Sequence, residues 1–144
     1  MKINTMYHGE VEVDEIFTFE KGIPGFVDEK RFVLLPLSDD ETFFVLQSVV
    51  THGLAFILSS PFQFFRTYDF QLEEAAVEEL GLESEKDVAV YSILTVQDPF
   101  EKTTANLQAP IIINLKNNKA KQVILHNEQY NTKHPIFEKA EAKG

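Results

Sequence analysis

The chain contains no cysteine and no tryptophan, and the lack of cysteine is the more informative of the two. Without thiols the chain cannot form disulfides, hold an iron–sulfur cluster, use a cysteine nucleophile or bind zinc through cysteine. The sequence also lacks an uncharged apolar run of the roughly 18 residues that a membrane helix needs, and its first residues have no apolar signal-peptide core. We therefore expect a cytoplasmic protein that has no contact with membranes.

Basic residues are scarce: 13 Lys and Arg stand against 23 Asp and Glu, which gives a formal net charge of −10. Repulsion between like charges disfavours direct binding to nucleic acid or to anionic lipid. A basic protein is the better-matched partner, although an acidic surface also serves simply to keep a protein soluble. Charge alone leaves these two interpretations open.

Length and periodicity predict a single, mainly β domain over residues 1–137, followed by a polar C-terminal tail at 138–144. The predicted strands, rich in β-branched and aromatic residues, are 11–13, 16–19, 32–37, 43–49, 54–58, 88–96, 111–115 and 122–125. Residues 116–119 contain two asparagines and predict a hairpin turn. One helix is predicted at about 72–80, where apolar residues recur with helical spacing before Gly81. The expected fold class is a small antiparallel β-barrel or sandwich with this one α-helix and short connecting turns.

A search for catalytic or metal-binding patterns finds none. No two of the four histidines (His8, His52, His126 and His134) have the i, i+4 spacing of a zinc protease, and no serine lies in a Gly-x-Ser-x-Gly turn. We therefore expect no enzyme, no catalytic residue, no metal and no cofactor. Two alternatives stay open: a barrel that binds a small molecule among its phenylalanines, and an acidic enzyme with two facing carboxylates.

Several longer motifs resemble those of one known family, the FliW flagellar assembly factors, over nearly the whole chain. The most specific is Thr104–Asn114, which reads Thr-Ala-Asn-Leu-x-Ala-Pro-Ile and runs into a strand ending in Asn. The other matching segments are Phe19–Phe26, Phe43–Ser48, Leu54–Leu58 followed by Pro61, and Tyr91–Val96. The resemblance implies a small, cytoplasmic, barrel-like protein without catalysis. It also implies two partners: flagellin, and the basic RNA-binding repressor CsrA, which such proteins bind and antagonise.

Docking residues for these partners are predicted on three surfaces. Aromatic side chains are strong interface anchors, and residues 61–70 hold five aromatics. For CsrA we expect contacts from the loop residues Ile23, Pro24 and Phe26 and from Phe62, Phe64 and Phe65. For flagellin we expect an extended segment to pair with a barrel edge, with Asn106 and Leu107 as candidates. The alternative is that Asn106 and Leu107 simply turn the chain into the next strand.

An acidic patch is predicted on the helix. Residues 69–87 hold eight acids against one lysine, and Glu73, Glu74, Glu78 and Glu79 lie on the polar face of the predicted helix. Such a patch, docked within about 8–10 Å of an RNA-binding site, would lower the positive potential that attracts phosphates. We expect these four acids to face the basic partner.

Overall fold

A computed structural model describes residues 1–137; the tail predicted at 138–144 lies outside the described residues. The described chain forms the following strands: β1 (Lys2–Asn4), β2 (Glu10–Glu12), β3 (Phe17–Phe19), β4 (Arg31–Pro36), β5 (Phe43–Ser48), β6 (Ala55–Ser59), β7 (Val88–Thr95), β8 (Thr104–Ala105), β9 (Ile111–Asn114), β10 (Lys119–Gln122) and β11 (His134–Pro135). The α-helices are α1 (Pro61–Phe64) and α2 (Glu74–Leu80), and 3-10 turns lie at Glu85–Asp87 and Phe100–Lys102. The prediction of a mainly β fold is confirmed.

Seven strands close into a barrel in the order β3-β4-β5-β6-β7-β9-β10, and β10 pairs back onto β3. Every neighbouring pair is antiparallel except β3 and β10, which run parallel with Thr18 opposite Lys119. The expected small antiparallel barrel is confirmed, with one parallel pairing where the barrel closes. The reason is geometric, since a closed ring with an odd number of strands cannot alternate direction all the way round.

The barrel interior is filled by side chains from alternate strand positions, as the two-residue period of a strand requires. Phe19 and Phe32 meet edge to face at 5.3 Å between ring centroids, and both are completely buried. The remaining fully buried members of this cluster include Leu46, Leu58, Ile111 and Ile113. Phe17, Phe19 and Phe32 are thus part of a packed core, which favours the partner-binding interpretation over a barrel that binds a small molecule.

Two layers cover the outside of the barrel. The ribbon of β1 and β2 packs Ile3 and Val13 against Val33 of β4. On another side α1, α2 and the chain between them cover the outer residues of the barrel, with Tyr68, Leu80 and neighbouring apolar side chains buried beneath them. This second layer carries most of the predicted docking residues.

The local structure differs from the predictions in three places. Pro61 starts a one-turn helix in addition to the one predicted helix; proline is well suited to the first helical position. Helix α2 begins at Glu74, two residues later than predicted, and ends at Leu80 with Gly81 in the left-handed conformation at φ 66°. The last hairpin strand is β10 at Lys119–Gln122 rather than 122–125. The prediction was wrong because this strand contains two lysines and only one buried side chain, so it lacks the apolar residues that indicate a strand. None of the described helices is long and apolar enough to cross a membrane.

Candidate partner-docking surfaces

The Gly-Ile-Pro-Gly-Phe segment forms a tight turn on the barrel surface. The Phe26 amide donates to the Ile23 carbonyl at 2.6 Å, and Gly25 takes the positive φ of 88° that the third position of a type II turn requires. Ile23 is only 2% exposed and anchors the turn, whereas Pro24 is exposed and Phe26 is 42% exposed, with its ring against Phe56. Of the three predicted docking residues here, two are therefore accessible.

A cleft of about 170 Å³ beside this turn carries three lysines, Lys21, Lys119 and Lys121; we call it the lysine cleft. Glu79 of α2 lies in the same cleft and binds Lys21 at 3.0 Å and Lys121 at 3.1 Å. Hydrogen bonds from these two ammonium groups lower the pKa of the Glu79 carboxyl. The cleft is thus a local excess of positive charge on an acidic protein.

The predicted acidic patch divides into two parts. Glu73, Glu74 and Glu78 are exposed, and no ion pair with another described residue involves them. Glu79 is partly buried, and its carboxylate forms ion pairs with Lys21 and Lys121 in the lysine cleft. It therefore does not belong to the exposed acids. The acidic face available to a partner therefore consists of three glutamates.

The predicted aromatic patch is mostly covered. Phe64 is half-buried and stacks on Phe43, while Phe65 is half-buried and meets the ring of His134 edge to face. Phe62 is 45% exposed and is the most accessible of the three predicted rings. Phe62 also borders the groove described next.

A groove of about 740 Å³ runs between α2, the segment before it and the start of β7. Its apolar lining is Phe62, Phe70, Leu72, Val77, Leu82, Val88 and Val90. Its charged lining residues are Asp69, Glu83 and Glu85, and no basic residue lines it. We call it the acidic groove. The groove could not be predicted from the sequence because its lining comes from several separate segments, and the apolar residues of each segment are equally typical of an ordinary core.

Asn106 and Leu107 form the turn that leads the chain towards β9. The Asn106 Oδ1 atom accepts from the amides of Gln108 at 3.1 Å and Ala109 at 3.0 Å, a pattern typical of Asx turns. Leu107 is buried, and its carbonyl accepts from the Tyr68 hydroxyl at 2.7 Å. Burial raises the pKa of Tyr68, which keeps this hydroxyl protonated as a donor.

This geometry supports the alternative given for Asn106 and Leu107, namely a turn rather than a docking strand. Each of the seven barrel strands has a paired neighbour on both sides, so none of them is an edge strand of the barrel. The Leu107 and Gln108 amides both donate to the Asn131 carbonyl, at 3.1 Å and 3.2 Å, and are therefore already paired. Among residues 1–137, no three His, Asp or Glu side chains converge in a way that could hold a metal.

His134 fixes the last described segment against the aromatic layer, and it predicts a pH dependence. Its Nε2 atom accepts from the Asn131 amide at 2.9 Å, and its ring contacts Phe65 and Tyr130. Desolvation lowers the pKa of His134, so the folded chain favours the neutral ring, which is the form that can accept this hydrogen bond. The stabilisation is then present above the unfolded histidine pKa of about 6.5 and is lost as the pH falls below it.

We expect His134→Phe, which keeps the ring contacts and cannot titrate, to show a smaller loss of stability between pH 7.5 and 5.5 than the parent chain. Urea unfolding of both proteins at several pH values measures this difference. An equal pH dependence in the two proteins would assign the effect to other groups.

Comparison with known proteins gives consistent matches over the whole length. The family described as "FliW protein" matches residues 2–136. The chain is 56% identical to the flagellar assembly factor FliW of Bacillus subtilis (strain 168), covering 94% of this chain and 96% of that protein. It is 54% identical to the flagellar assembly factor FliW of Geobacillus kaustophilus (strain HTA426), covering 99% and 100%. A crystal structure of the flagellar assembly factor FliW superimposes with a TM-score of 0.91 at 53% identity, covering 96% of this chain and 98% of that one.

Proposed function

The chain belongs to the FliW family of flagellar assembly factors, and from this premise we propose that it acts in the cytoplasm by binding two proteins, flagellin and CsrA. In this role the chain holds CsrA away from the flagellin message when flagellin is scarce, and flagellin releases CsrA by occupying the chain when it accumulates. The observation that carries the proposal is the full-length family match, which extends through the motifs that first suggested it.

Surface charge supports the CsrA half of the proposal. A protein that binds RNA must present a positive surface, and this chain has a net charge of −10. Glu73 caps α2, Glu74 and Glu78 lie on it, and all three side chains are exposed, so their negative potential extends into solvent. At physiological salt this field extends about 8 Å, which is enough to weaken phosphate binding at a neighbouring site without covering it.

A competition experiment tests the proposal directly. Purified chain is mixed with CsrA and flagellin from the same organism, and complexes are separated by size-exclusion chromatography. We expect a complex with CsrA that prevents CsrA from binding the flagellin message, and we expect added flagellin to displace CsrA. Failure to bind either protein at micromolar concentrations would contradict the proposed function.

The acidic face gives a second, more specific prediction. We expect reversal of Glu73, Glu74 and Glu78 to lysine to weaken CsrA binding by about tenfold or more at low salt, and by less at high salt. The control reverses Glu10, Asp14 and Glu15, three exposed acids on and beside the β1–β2 ribbon, and changes the net charge by the same amount. Equal weakening by the two triple variants would mean that only the overall charge matters.

A further inference from the structure

We propose that the acidic groove is the docking site for the basic partner, where it takes an apolar segment of that protein flanked by lysine or arginine. The inference rests on the proposed function, because it assumes that the chain has a basic protein partner. It adds the place of contact, and it distinguishes between two exposed aromatic surfaces that both qualify from the sequence.

The groove has the size and the lining of a protein-docking site. Its volume of about 740 Å³ accommodates several side chains, and its floor is formed by half-buried apolar residues of four segments. Phe62 borders the groove with 45% of its surface exposed, and its ring already rests against Tyr68 at 5.8 Å between centroids. A partly exposed ring on a packed support can be covered by a partner with little further loss of side-chain freedom.

Charge decides which surface the basic partner occupies. The charged residues lining the acidic groove are all carboxylates, Asp69, Glu83 and Glu85. Only Glu83 pairs with a base among the described residues, and that base, Lys116, lies outside the lining at 3.9 Å. The lysine cleft, beside the turn that carries Phe26, is instead lined by three lysines and two glutamates. Both glutamates are already bound to these lysines. A lysine- or arginine-bearing segment is therefore attracted to the acidic groove more strongly than to the lysine cleft.

The rim of the groove is held in place before any partner arrives. The Tyr130 hydroxyl accepts from the Asp69 amide and donates to the Asp69 carbonyl, each at 3.0 Å, which fixes the backbone of this acid. On the other side, the Ser84 hydroxyl accepts from the Lys86 amide at 3.2 Å and starts the 3-10 turn that carries Glu85. The carboxylates are thus attached to ordered backbone, which reduces the entropy lost on binding.

A matched pair of phenylalanines tests the assignment. Phe62 and Phe26 have nearly equal exposure, 45% and 42%, and each ring packs against one other aromatic ring. Phe62→Ser and Phe26→Ser are compared with the parent chain for CsrA binding by titration calorimetry, after circular dichroism and thermal unfolding have shown that both are folded. We expect Phe62→Ser to weaken binding by about tenfold or more and Phe26→Ser by less than about twofold.

The charged rim is tested separately with Glu83→Lys combined with Glu85→Lys, which should weaken binding further and flatten its salt dependence. If the parent chain binds CsrA and Phe62→Ser binds it equally well, the groove assignment is overturned while the proposed function stands. If the parent chain does not bind CsrA, the proposed function fails and the groove assignment fails with it. If Phe62→Ser loses flagellin binding or self-association instead of CsrA binding, the groove belongs to another occupant and the assignment is also overturned.

Discussion

Replacing Gly22 by alanine is expected to lower the free energy of unfolding by roughly 2–4 kcal/mol and the melting temperature by about 10 °C. Gly22 has a φ of 71°, in the left-handed region that costs a non-glycine residue about 1–2 kcal/mol. A Cβ atom at this position would also lie 2.5–2.6 Å from the backbone of Val27, far closer than van der Waals contact allows. Because the obstacle is backbone rather than a flexible side chain, the whole turn would have to shift.

Gly9 provides the matched control for this substitution. Its φ is 67°, almost the same as that of Gly22, but a Cβ atom built on it meets nothing within 4 Å. We expect Gly9→Ala to cost only the conformational part, about 1 kcal/mol. Urea unfolding of both variants separates the two contributions. Equal losses would show that the close approach at Val27 is relieved without cost.

Asn114→Ala is expected to destabilise the chain by about 2–4 kcal/mol, because this side chain joins the barrel to the end of helix α2. Asn114 is the last residue of β9 and is 2% exposed. Its amide group donates to the carbonyls of Leu80 at 2.8 Å and Gly81 at 3.2 Å, while its oxygen accepts from the Lys116 amide at 2.9 Å. The last turn of α2 holds no basic residue that could take over this role.

Two further variants separate the role of the donor from that of shape. Asn114→Asp keeps the volume but replaces the amide donor with an acceptor that faces two carbonyls, so we expect it to be at least as destabilising as the alanine variant. Asn117→Ala removes a second, exposed donor to the Leu80 carbonyl at 3.1 Å, and it should cost less than about 1 kcal/mol because Asn114 still satisfies that carbonyl. A similar loss of unfolding free energy in the Asn114→Ala and Asn117→Ala variants would contradict the prediction that Asn114 is the more important donor to the Leu80 carbonyl.

Local sequence patterns predicted most of the elements of this fold, because each depends on neighbouring residues. The spacing of apolar residues before Gly81 located α2 to within two residues, and the β-branched runs located the barrel strands. The parallel closure of β10 on β3 was not predicted, since it joins residues about a hundred positions apart and no local pattern records such a pairing. The one-turn helix α1 was not predicted, because four residues are too few to show the helical spacing of apolar residues.

The docking surfaces were predicted less well than the fold, and exposure explains the difference. A sequence identifies Phe62, Phe64 and Phe65 as equivalent aromatics, but only packing by Phe43 and His134 decides which of them is covered. Likewise, Glu78 and Glu79 are adjacent acids, yet only Glu79 lies within reach of two lysines from distant parts of the chain. The lysine cleft and the acidic groove therefore appear only once the tertiary structure is known.

Closure of the barrel also bears on how the protein behaves at high concentration. Edge strands are the places where chains join into fibrils, and each of the seven strands of the barrel has a neighbouring strand on both sides. The edge strands outside the barrel are short. Strands β1 and β2 have three residues each and carry charged side chains, and β11 has two residues, one of them proline. A polypeptide built this way resists amyloid-like growth, and its contacts with other proteins then depend on side chains rather than on backbone pairing.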